Sequence, residues 1–137
     1  MKQIIKGERG QSLVELGISL VILLYLLSGA AEFGVLFFQF VQLRDAAQEG
    51  ALYGSMDPAN TAAITQRVQA SSTSPIDLTT ITPTITYSGP ACEGNGITVT
   101  LTFDHQIFMP FMEQILGSPT IPLSATVTDT ILRPVCP

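Results

Sequence analysis

Few side chains in this sequence are equipped for chemistry. His105 is the one histidine. Asp104 is its neighbour, and adjacent residues of a strand point to opposite faces. The pair therefore makes no acid–imidazole contact of the hydrolytic kind, and no nucleophile-elbow sequence supplies a serine. His105 is expected to end a strand as a surface residue. No phosphate-binding loop, HExxH, CxxC or calcium-loop pattern occurs. Two thiols, Cys92 and Cys136, and one imidazole are too few ligands for a structural metal site. No catalytic residue, metal or cofactor is expected. The cysteines are instead expected to pair as a disulfide in an oxidising compartment.

A different kind of chemistry is written near the N-terminus. A secretory signal peptide is cut after its apolar stretch. Here the small residue Gly10 lies before the apolar run, after a tip holding Lys2, Lys6, Glu8 and Arg9. Cleavage there would remove the tip and leave the apolar helix on the mature chain, beginning at Gln11. Glu15 then sits at the edge of the run Leu16–Leu27. A carboxylate within a bilayer costs roughly 2.5–3.5 kcal/mol at a helix centre on the gentler scales. The new α-amine of Gln11 lies four residues earlier, on the same helical face. It can neutralise Glu15 in its own subunit or in a neighbour.

The elements that would position these groups follow from composition. Hydrophobic residues make up 46% of the 137, and charged residues only 12%, against about 25% in an ordinary soluble domain. The excess is concentrated in residues 13–43. A bilayer core of ~30 Å needs about 20 helical residues, and residues 13–31 provide them. No proline occurs between Met1 and Met56, so one helix is expected from Gln11 to Tyr53. Beyond Glu32 it should become amphipathic, with Phe33, Leu36, Phe37, Phe40, Ala47 and Ala51 on one side. Gln39, Gln42, Asp45, Gln48 and Glu49 should lie on the other. Glu32 is read as marking the outer end of the span, with pairing to another subunit as the alternative. The small residues Ala46, Gly50 and Gly54 would let another backbone approach: the chain's own head by preference, or a neighbouring stem.

The net charge of −5 is divided, with +2 in residues 1–10 and −7 in the remainder. A basic tip before an apolar span places the N-terminus in the cytoplasm and the C-terminus outside. An acidic exported part with three arginines is unsuited to nucleic acid.

Gly10 followed by Glu15, between a short basic leader and a long apolar helix, resembles the type IV prepilin processing site. With Gly10-Gln-Ser-Leu-Val-Glu15, Ala31-Glu-Phe-Gly34 and Ala46-Ala-Gln-Glu-Gly-Ala51, the chain resembles the TadE-like pseudopilins of tight-adherence (Tad) pili. Leu16 departs from the aromatic that Tad prepilins often carry after the glutamate. The resemblance covers residues 7–54 closely. It implies a prepilin peptidase, the Tad assembly machinery and other pilin subunits as partners, with membrane lipid around the stem before assembly. It also implies a precursor in the cytoplasmic membrane that becomes part of a surface pilus. The mature chain has a head, unlike the very short principal Tad pilins, so the minor pseudopilin class is expected. The alternatives are a principal pilin, or an anchored adhesin or assembly factor that never polymerises.

The expected organisation is a leader (1–10), a transmembrane and stem helix (11–54) and an extracytoplasmic head (55–137). The fold class is α+β, with about three antiparallel strands in the head. Asp57-Pro58 should open a second helix running to Gln69. Thr80–Tyr87 should form an edge strand because it contains Pro83. Ile97, Val99, Leu101 and Phe103 alternate with polar residues in the clearest strand. A short helix within Met109–Gly117 and a last strand Ile121–Leu132 follow. If those two longer strands are antiparallel neighbours, Cys92 and Cys136 meet at one end of the sheet.

Overall fold

An apolar run without a helix breaker has little choice but to remain helical where water is scarce. The computed structural model describes residues 8–72 and 74–136. Its first element is one helix, α1, Glu8–Met56, of 49 residues and about 74 Å at 1.5 Å per residue. It runs slightly past the expected end at Tyr53. Asp57 N–H still bonds to the Tyr53 carbonyl at 3.1 Å, so Asp57 and Pro58 complete the exit turn and do not start the next helix. That role falls to Asn60, whose side chain accepts from Ala63 N–H at 3.1 Å and caps α2, Thr61–Ala70.

After a 3-10 turn at Leu78–Thr80, the head forms β1 (Thr84–Tyr87), β2 (Gly96–Gln106), the short helix α3 (Met112–Leu116) and β3 (Thr120–Thr130). Sheet order is β1-β2-β3, and both pairings are antiparallel. The fold is thus α+β, a long helix followed by a small head. The first strand is shorter than expected. Asp77 draws residues 78–80 into the 3-10 turn by accepting from Thr79 N–H at 3.0 Å. Pairing begins only after Pro83, which has no N–H to donate.

The head lies lengthwise against the outer half of α1. Leu43, Ala46, Ala47 and Ala51 of α1 are buried with Ile64 and Val68 of α2 and with Ile97, Val99 and Leu101 of β2. The small stripe makes this approach possible. A Cβ on Gly50 would come 2.6 Å from Val68 Cγ2, inside van der Waals contact. Gly54 is equally tight against Ile97 of β2 and Ile64 of α2. The chain's own head is what docks on these residues. Leu132 N–H bonds to the Ser55 carbonyl at 2.7 Å, and the Tyr87 hydroxyl donates to the Pro58 carbonyl at 2.6 Å. These bonds tie the far ends of β3 and β1 to the exit of α1, and burial raises the Tyr87 phenol above its ordinary pKa.

Because Ile97 meets Gly54 at the top, β2 descends along α1. Its partner β3 climbs back, and the segment joining them, residues 107–119, lies at the end nearest the apolar half of the helix.

Candidate functional site

Two regions of α1 concentrate the groups singled out above. The first is its N-terminal part. From Gly10 to Leu24 every side chain is exposed, so this is a bare helix that touches no part of the head. It is long and apolar enough to cross a membrane. Gly10, Gln11 and Glu15 all lie on it and are exposed. Gly10 has no atom within 4 Å of where a Cβ would stand, so no packing contact asks for glycine there. Gln11 and Glu15 share a face by their spacing of four. The expected leader falls largely on residues 1–7, which lie outside the described residues.

The second region is the junction of stem and head, and here the structure corrects three expectations. His105 is not a surface residue: it is 1% exposed. Its parity in β2 explains why, since residues 97, 99, 101, 103 and 105 all alternate onto the face turned toward α1. Gln39 is not on the outward side of the stem: it is 7% exposed and faces the imidazole. Phe33, Phe37 and Phe40 are not part of the head-facing stripe and remain exposed. The stripe that is shielded runs Tyr25, Ser28, Gly29, Glu32, Leu36, Gln39, Leu43. It advances at mostly three- and four-residue steps, one position out of phase with the phenylalanines.

Glu32, the second stem acid, is engaged within its own chain. Its Oε1 lies 2.6 Å from His105 Nε2, and both carboxylate oxygens lie 3.2 Å from Phe108 N–H. His105 Nδ1 lies 2.6 Å from Gln39 Oε1. A doubly protonated ring donates to both oxygens. A singly protonated ring keeps the Glu32 bond and requires the Gln39 amide to turn and donate. The Phe108 ring stands edge-on to the imidazole, with centroids 5.7 Å apart. The cluster holds the lower end of the sheet to the stem.

It also bears on catalysis. Acid and imidazole are together, but both ring nitrogens are occupied by Glu32 and Gln39 and the ring is sealed from solvent. Neither nitrogen is free to take a proton from a nucleophile. Among the described residues no cluster of three or more His, Cys, Asp or Glu is arranged to hold a metal.

Cys92 and Cys136 come together at the upper end of the sheet, bonded with Cα atoms 5.1 Å apart. Gly96 pairs with Thr130 in the β2–β3 register, so the bridge closes the chain just beyond the last strand pair. Glu15 is not near Glu32: 17 residues separate them along the helix, or about 25 Å. The junction was recoverable in part from sequence. The alternation that identified β2, carried two residues further, puts His105 inside, where a buried imidazole needs polar partners.

Comparison with known proteins locates the same part of the chain. No curated protein and no solved structure matches it. The family model described as TadE-like protein matches residues 10–52, the stretch holding Gly10, Gln11, Glu15, Glu32 and Gln39 and ending before the head begins. In its helical stem, then, this chain carries the pattern of the TadE-like family, pilin-like proteins associated with tight-adherence pili.

Proposed function

We propose that the chain is a structural subunit of a Tad-type pilus, of the minor pseudopilin class. In this reading residues 1–10 are a leader removed by a prepilin peptidase on the cytoplasmic side. Residues 11–54 are the membrane and stem helix, and residues 55–137 are an extracytoplasmic head. The mature subunit leaves the bilayer through the Tad machinery and joins other pilin subunits by its stem.

The observation that carries the proposal is the bare half of α1. It is exposed on every side from Gly10 to Leu24 and interrupted by one acid, Glu15, four residues after Gln11. Lipid can cover such a helix, and so can the stems of other subunits. Its glycines support a protein partner. Gly17, like Gly10, has nothing within reach of a Cβ, although glycine inside a helix costs about 1 kcal/mol relative to alanine. Close approach by another helix would account for that cost. In the membrane precursor Glu15 lies near the cytoplasmic surface. After cleavage, the Gln11 α-amine of the same or a neighbouring subunit neutralises it as the stem enters an apolar bundle.

Shearing tests the proposal. Filaments sheared from cells should contain this chain together with the other pilus subunits, and deleting the assembly machinery should empty the sheared fraction of it. A chain that remains wholly with washed membranes, with pili otherwise normal, would instead be an anchored adhesin or assembly factor.

A further inference from the structure

We infer that the loop joining β2 to β3 is a second membrane contact, inserted into the outer leaflet beside the stem before the subunit is assembled. The inference needs the stem to lie in a bilayer. It does not depend on the stem later entering a filament.

The loop is fixed to α1 at three levels. Glu32 holds Phe108 N–H. Met109 is buried against the helix, with its Cε 3.4 Å from where a Cβ on Gly29 would stand. The Tyr25 hydroxyl donates to the Pro110 carbonyl at 3.4 Å. Those attachments set its depth. If the hydrocarbon core begins near Leu13, it extends about 20 residues along the helix, to the level of Glu32. Tyr25 and Gly29 then lie roughly 18 and 24 Å into a layer about 30 Å thick. The stem cannot insert to that depth without carrying residues 109–111 into the outer half of the core.

The composition of the loop suits that position. Phe108, Phe111 and Ile115 are 73%, 72% and 71% exposed, and Leu116 is 53% exposed. No described part of the head covers them. Glu113 is the only charge between Ile107 and Thr120, and the stem beside the loop has none from Leu16 to Ala31. Phe111 is also the one described non-glycine residue with positive φ, at 67°, an unfavourable conformation for a bulky side chain. The strained turn leaves its ring facing outward and not folded under the sheet. Lipid continuous with that around Leu24, Leu26 and Leu27 is the occupant that the loop's level on α1 selects.

The chain has no tryptophan, so single substitutions give unique fluorophores. Phe111→Trp and Ile115→Trp would be made in the full chain and reconstituted into phosphatidylcholine vesicles with brominated acyl chains. Leu20→Trp in the span and Leu132→Trp at the far end of the head serve as references. The expected result is blue-shifted emission at 111 and 115, with a loss of intensity to bromine close to that of Leu20→Trp and well above that of Leu132→Trp. Emission at 111 and 115 quenched no more than at Leu132, with Leu20→Trp quenched, would overturn the inference. Blue-shifted but unquenched emission that disappears on dilution would also overturn it, assigning the patch to a second copy of the chain. Loss of quenching at Leu20→Trp as well would remove the bilayer premise, and the inference with it.

Discussion

Replacing Glu15 by leucine is expected to leave the chain in the membrane and remove it from filaments. Leucine extends an apolar run, so insertion should be as good as in the parent. What changes is the next step. In the proposed pathway cleavage leaves a charged α-amine on Gln11, and an apolar bundle would offer it no partner once the carboxylate is gone. On the gentler membrane scales an unpaired charge costs roughly 2.5–3.5 kcal/mol, which at 1.4 kcal/mol per tenfold is about a hundredfold loss in the affinity of the stem for its neighbours. Filament-bound subunit, quantified in sheared fractions against membrane-bound subunit, should fall to that extent. Glu15→Asp, which keeps the charge, should lose much less. A normal sheared yield from the Glu15→Leu strain would remove the charge-pair mechanism and leave only the apolar packing of the stem.

The second large effect lies at the stem–head junction. Glu32→Leu should strip His105 Nε2 and Phe108 N–H of their acceptor while leaving the imidazole where water does not reach. Breaking a buried pair from one side costs about 3–5 kcal/mol. The full chain in detergent should therefore unfold its head at markedly lower denaturant concentration, and the segment 107–119 should become sensitive to protease. His105→Leu should cost a similar amount. The double variant Glu32→Leu/His105→Leu should cost clearly less than the two together, because each single change leaves the other group orphaned. Strict additivity would mean that the two side chains do not act as a unit. Glu15→Leu should leave head stability unchanged, since no part of the head touches that stretch of α1.

These two acids differ in how far a local reading carries. The role proposed for Glu15 rests on local features alone: a glycine before it, a count of five residues and an apolar run. The long helix was legible because its signal is equally local, and the β2–β3 pairing because alternation and the two cysteines point the same way. Glu32 acquires its role from His105, 73 residues away in sequence, and nothing local announces such a partner. Leu36, Ala47 and Ala51 were assigned to the shielded face correctly, but Phe33, Phe37 and Phe40 were placed there with them because three phenylalanines suggested a core. In this chain the aromatic side of the helix is bare, and the head packs on small residues interspersed with two polar ones, Glu32 and Gln39. Hydrophobicity alone cannot phase a helix whose head packs on a side less apolar than the one it leaves exposed. The loop at 107–119 was legible as a short helix ending at Gly117. Its depth beside the stem was not, since that depends on where β2 finishes its descent.

The account depends on an amino group that proteolysis creates ten residues into the chain. Sequencing the first residues of the protein recovered from sheared cell surfaces tests that most directly. The account requires Gln11 at the N-terminus, and the full-length form to accumulate in membranes when the prepilin peptidase is deleted. Recovery of surface material that still starts at Met1 would contradict it: Glu15 would then have no partner of the kind described, and the chain would be a tethered ectodomain whose stem never leaves the bilayer.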